Sequence, residues 1–89
     1  MSQLSGQITV SGVVQFPNIW VAVADVKAHP DNTDTIWIGN NGSDSISSTT
    51  GFPLNAGENI TVVLEGSLDT LYATADVANE KLCWMILDE

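Results

Sequence analysis

Apolar and polar residues alternate along most of this chain with a period of two, the pattern of strands that bury one face. Ile8 and Val10 alternate with Thr9 and Ser11, and Gly12 then interrupts before Val13 and Val14. That break predicts a strand with a bulge or kink at the glycine. Across residues 19–28 one phase reads Trp20, Ala22, Ala24, Val26 and Ala28. The other phase begins apolar with Ile19, Val21 and Val23 and ends polar with Asp25 and Lys27. This strand is expected to start covered on both faces and to finish with one face wet. Ile36 and Ile38 share a side opposite Trp37. Ile60, Val62 and Leu64 alternate with Thr61, Val63 and Glu65, and Leu71, Ala73 and Ala75 alternate with Tyr72 and Thr74. Residues 82–87 are apolar in both phases. There Leu82, Trp84 and Ile86 are expected to point into the core, with Cys83, Met85 and Leu87 on the opposite face.

Turn chemistry separates these runs. His29-Pro30-Asp31-Asn32 and Asn55-Ala56-Gly57-Glu58 have turn composition, and the Asn-, Gly- and Ser-rich residues 39–51 are the least core-like segment, interrupted only by Ile46. A helical turn is expected only near Ser67-Leu68-Asp69 or Val77-Ala78-Asn79-Glu80. Short strands punctuated about every ten residues predict an all-β fold. The expected architecture is a small antiparallel β-sandwich or barrel of six to eight strands, in a single domain spanning residues 1–89. Its core should include Ile8, Val10, Trp20, Ala22, Val26, Ile36, Ile38, Ile60, Val62, Leu71, Trp84 and Ile86.

Composition narrows the partners. The chain has 89 residues, 44% of them hydrophobic, which excludes disorder as the default and leaves room for one core. A domain of this size buries only about 60–65% of its unfolded surface, so oligomerisation is a common aid. Lys27 and Lys81 stand against eleven acidic residues, for a net charge of −9, and there is no arginine. Phosphate backbones and anionic membrane surfaces are held by Lys and Arg, so neither is an expected partner. The acidity itself serves solubility through self-repulsion or an acidic docking surface. Without a basic and apolar leader or a run long enough to span a bilayer, the expectation is a soluble, cytosol-made domain.

Catalytic chemistry is hard to assemble here. Nucleophilic catalysis needs a nucleophile, a base and an orienting group in one cleft. The single histidine, His29, lies in a turn and is expected to be solvated, and Cys83, in an apolar strand, is expected to be a buried inert thiol that closes no intrachain disulfide. Asp31-Asn32-Thr33-Asp34 lacks the spacing that wraps calcium, so its carboxylates are read as turn caps. Asn41-Gly42-Ser43 and Asn59-Ile60-Thr61 match the glycosylation sequon but lack a leader to give them meaning. No glycine loop joins a strand to a helix in the way that cradles phosphate. The expectation is a protein with no cofactor and no metal that is not an enzyme. Aromatic residues remain: Trp20, Trp37, Tyr72 and Trp84 lie on predicted strands, and Trp37 and Tyr72 occupy the phase opposite their apolar neighbours. Core packing competes with surface contact for each of them.

Several pieces recur together. They are Val26-Lys27-Ala28 before His29-Pro30-Asp31-Asn32-Thr33, then Ile36-Trp37-Ile38-Gly39, then Gly51-Phe52-Pro53-Leu54 with Ala56-Gly57-Glu58. The strand at 60–64, Leu68, Leu71-Tyr72 and the run 82–87 complete the order. Over residues 23–87 the chain resembles a family of small tailed-bacteriophage virion proteins; residues 1–22 lie outside that resemblance. The resemblance implies a β-domain made in the host cytoplasm and carried on the capsid surface of the virion. Its implied role is that of a decoration, or cement, protein binding the assembled major capsid protein as a homo-oligomer. The alternative is a carbohydrate- or receptor-binding module of a phage tail or baseplate, using Trp37, Tyr72 and residues 40–50. Interface candidates are therefore Trp37, Tyr72, Cys83, Met85 and Leu87. The ends are expected to be ordered against neighbouring subunits. A second sheet or a neighbouring subunit would cover Cys83, Met85 and Leu87; with a subunit, favoured by the ordered ends, Asp88-Glu89 would sit at the rim near Lys27 or Lys81 of a partner.

Overall fold

A computed structural model of the chain describes residues 5–40, 47 and 50–88. The expected order at Met1 and Glu89, Ile46, the first sequon and most of the 40–50 loop lie outside the described residues. Eight strands follow one another: β1 (Ser5–Val10), β2 (Val14–Gln15), β3 (Trp20–Ala28), β4 (Ile36–Gly39), β5 (Phe52–Leu54), β6 (Asn59–Ser67), β7 (Tyr72–Ala75) and β8 (Glu80–Asp88). One 3-10 turn, Leu68–Thr70, joins β6 to β7.

The strands form two four-stranded sheets, a first in the order β1-β8-β3-β6 and a second in the order β2-β7-β4-β5. Every pairing is antiparallel. The pairs β1–β8, β2–β7, β3–β6 and β4–β5 are those of one long hairpin, closed at β4–β5 and rolled up. Contacts β3–β8 and β4–β7 complete the roll. This wrapping is the eight-stranded jelly roll, a sandwich of two sheets.

A single core lies between the sheets. Val10, Val26, Ile36, Ile38, Leu71, Trp84 and Ile86 are buried there as the alternation predicts. Ile8, Ile60 and Val62 pack on this core but stay half-exposed, because β1 and β6 are the edge strands of the first sheet. Phe16, Val21, Ala24, Ala28, Leu54, Leu68, Ala73 and Leu82 join the core as well. Across the central β3–β8 pair, Ala24 faces Ile86, Val26 faces Trp84 and Ala28 faces Leu82. Small side chains on one strand leave volume for large ones on the other, which keeps a core this small free of voids.

Two local expectations are overturned. Trp20 and Ala22 are not core: Trp20 is 63% exposed and Ala22 half-buried, while Val21 is fully buried. The register of β3 shifts against β6 between Val21 and Val23, beside Glu65 at φ 49°, and against β8 between Val23 and Ala24. That irregularity changes the phase of β3, so Val21 and Ala24 both point inward. The start of β3 is thus wet on one face, contrary to expectation. Gly12 does not kink one strand either. At φ 74° it turns the chain from β1 in the first sheet to β2 in the second, a conformation glycine adopts without steric cost. Of the two expected helical turns, only the one at Leu68–Thr70 forms. Residues 76–79 make a turn with Asn79 at φ 67°, and β8 begins at once.

Leu82 is fully buried at the centre of this packing. Leu82→Ala is expected to lower the unfolding free energy by about 2–5 kcal/mol. A urea melt followed by tryptophan fluorescence measures this, and a loss under about 1 kcal/mol would place the core elsewhere.

Candidate functional site

Residues that oppose each other in a sheet share a face, so the register defines the outward surface of the first sheet. β8 contributes Lys81, Cys83 and Met85; β1 sets Thr9, Gln7 and Ser5 opposite them. β3 contributes Lys27 and Asp25 opposite Cys83 and Met85, and β6 contributes Asn59, Thr61 and Val63. Met85 is 48% exposed, Leu87 49% and Val63 69%. The second sheet packs on the inner face, and among the described residues none buries Met85, Leu87 or Val63 on the outer side. Gln7, Asp25, Lys27, Cys83 and Met85 line a shallow trough of about 530 Å³ along it.

Charge is unevenly spread over the molecule. Both cations of the chain, Lys27 and Lys81, are exposed on this one face. Lys81 Nζ donates to Thr9 Oγ1 at 3.4 Å, and among the described residues neither lysine is in an ion pair. The Asp25 carboxylate accepts the Thr61 hydroxyl across the strands. An acidic protein therefore presents its only two lysines on one mixed face, beside the exposed Met85 and Val63. Cys83, expected to be buried, is half-exposed in the trough because it belongs to the outward phase of β8.

The other interface candidates sit on the far side. Trp37 faces Pro53 and Thr74, and Tyr72 faces Gln15 and Gly39, all on the outward face of the second sheet. The two aromatic residues are diagonal neighbours there, and both are half-buried. Trp37 and Tyr72 thus come together, Cys83 and Met85 come together, and the sandwich separates the two groups; Leu87 is exposed beyond them, where the β3–β8 register shifts.

The acidic turn 29–34 is a structural clasp. His29 Nδ1 accepts the Asp31 amide at 3.0 Å, and the His29 amide donates to the Lys81 carbonyl at 3.0 Å. Asn32 bonds both backbone groups of Lys81 at 2.8 Å, imitating a further strand residue. Thr33 donates its amide and hydroxyl to Glu80, the one buried charged side chain among the described residues, at 2.8–3.1 Å. Asp34 accepts the Thr35 amide at 2.8 Å, the capping role expected of it. His29 is half-buried rather than solvated, since the turn folds back on β8. Glu80 was not readable as buried: only its place in the inward phase of β8, two residues before Leu82, pointed there.

Among the described residues no group of three or more His, Cys, Asp or Glu could hold a metal ion, and no helix is long and apolar enough to cross a membrane. No known protein family, curated protein or solved structure matches the chain. What it does is read from its own surface.

Glu80 closes the core by accepting from Thr33, so Glu80→Ala strands two donors in a part-buried site. A destabilisation of about 1–3 kcal/mol is expected. Asp31→Ala, at a side chain 92% exposed, should stay within about 0.5 kcal/mol. Paired denaturant melts compare them, and equal effects would remove the clasp from the account.

Proposed function

We propose that this chain is a non-enzymatic decoration domain, docking on the assembled major capsid protein of a tailed bacteriophage through the outward face of its first sheet. The observation that carries the reading is the outward face of the first sheet, where Met85 and Val63 stand exposed beside the only two lysines of a protein with net charge −9. Exposed large apolar side chains gathered on one face, rimmed by polar residues, suit a partner surface. Covering each large side chain contributes about 1–3 kcal/mol, enough for a stable contact when several act together. Lys27 and Lys81 give the partner surface a preference for carboxylates and orient the approach. The resemblance of residues 23–87 to small phage virion proteins agrees with this role. The jelly roll itself does not choose, because both capsid and lectin domains use it.

A second reading rests on Trp37 and Tyr72, diagonal neighbours on the opposite outer face. Aromatic rings side by side can stack on sugars, which would suit a receptor- or carbohydrate-binding module. Their half-burial, beside the fuller exposure of Met85 and Leu87, favours the first face.

Met85→Asp should leave the domain folded, with unchanged circular dichroism, and weaken binding to undecorated capsids by at least about tenfold. Co-sedimentation with such capsids measures this. Unchanged binding would make the face irrelevant, and an unfolded variant would make Met85 part of the core. Binding on a glycan array that Trp37→Ala abolishes and Met85→Asp preserves would turn the assignment to the second reading.

A further inference from the structure

The first sheet ends at β6, and among the described residues no strand pairs with the outer edge of that strand. Unpaired edges recruit other strands unless they are short, charged or interrupted by proline. The two edges of the second sheet are protected in these ways: β2 has two residues, and β5 has three with Pro53 at its centre. β1, the other edge of the first sheet, has six residues, against nine in β6. β6 runs for nine residues without proline; Glu65 and the register shift beside it interrupt its end, and the regular stretch 59–64 carries neither charge nor proline.

Its free backbone groups follow from its bonded ones. The His29 amide points to β8, bonding Lys81, whereas the Ala28 amide points to the β6 side, bonding Glu58. Backbone groups alternate sides along a strand, so Val26 and Ala24 bond their partners Ile60 and Val62. Asn59, Thr61 and Val63 therefore turn their N–H and C=O groups to the open edge. The side chains show the same opening. Ile60, Val62 and Leu64 face inward yet are only half-buried. Phe52 opposes the buried Ile38 but is 58% exposed, and it lines with Ile60 a recess of about 400 Å³ between β5 and β6.

We propose that β6 pairs antiparallel with β6 of a second copy of this chain, about a two-fold axis through Val62. Two features of the strand select a second copy. A chain of net charge −9 repels its own kind, but residues 59–64 carry no charge, and this register sets Glu65 opposite the partner's Asn59. The strand is also self-complementary: Ile60 meets the partner's Leu64, Val62 meets the partner's Val62, and Thr61 exchanges backbone hydrogen bonds with the partner's Val63. The result is one continuous eight-stranded sheet, with Phe52 of both copies at the gap beneath it.

Hydrogen exchange and solution mass test this together. The wild-type protein is expected to have twice the mass of one chain by sedimentation equilibrium. The Thr61 and Val63 amides should then be as protected as those of Ile60 and Val62, and should speed up at least about tenfold as dilution separates the copies. Val63→Pro removes a donor aimed at the edge from a side chain 69% exposed, a position where proline is tolerated. It should give the mass of one chain and a fast Thr61 amide while the Val62 amide stays slow. A wild-type protein of single-chain mass whose Thr61 and Val63 amides exchange freely would overturn the proposal, as would a Val63→Pro variant that keeps the doubled mass. Met85→Asp, which tests docking, should leave the doubled mass unchanged, so the two surfaces fail separately.

Discussion

The register between β3 and β8 is the constraint on which the rest of the molecule depends. β8 is apolar in both phases and cannot choose which face to bury. β3 makes the choice, because Asp25 and Lys27 occupy one of its phases and would be costly to enclose without partners. With those two residues outward, Ala24, Val26 and Ala28 turn inward and take Ile86, Trp84 and Leu82 opposite them. A slip of one residue would reverse every side chain of β8. It would also expose Glu80, which the inward phase places under Thr33. The second apolar phase of β8 is thus surplus to the core, and it is this surplus on which the proposed docking rests.

The rolled hairpin then decides where the molecule is open. Wrapping eight short strands into two layers leaves four edges, and a chain this small cannot cover them all with loops. The two edges of the second sheet are blunted by brevity or proline. In the first sheet the longer edge strand, β6, keeps an uncharged stretch at residues 59–64 whose inward side chains are incompletely covered. Adding a neighbouring strand satisfies backbone groups and completes that cover at once, two gains from one contact.

Period-two alternation is a local signal, and what was legible in the sequence follows from that. The all-β class, the inward rows of β4, β7 and β8, and the outward grouping of Cys83 and Met85 could all be read from it. The pairing of strands into a jelly roll could not, because it depends on partners far apart in the chain. The alternation of β3 reads as unbroken and points Trp20 and Ala22 inward; the shifts against β6 at Val21/Val23 and against β8 at Val23/Ala24 that alter its phase belong to pairings far apart in the chain. Glu80 was missed because its burial depends on Thr33, a residue of a turn that composition reads as solvated. Val63 had left a trace, as the one apolar residue in a phase otherwise occupied by Thr61 and Glu65.

The open edge and the outward face lie at right angles to each other, and this relates the two proposals physically. Strand addition across β6 extends the first sheet within its own plane. A two-fold axis normal to that sheet keeps both outward faces pointing the same way. Met85 and Val63 of two copies would then stand on one broader mixed face, with four lysines beside them instead of two. A paired domain can engage two neighbouring sites of a repetitive assembly, and the second contact forms at the high effective concentration set by the first. Pairing at the edge would in this way turn a modest contact on each small domain into durable attachment. Attachment through the edge itself would forfeit that gain, because it would consume the strand that joins the copies.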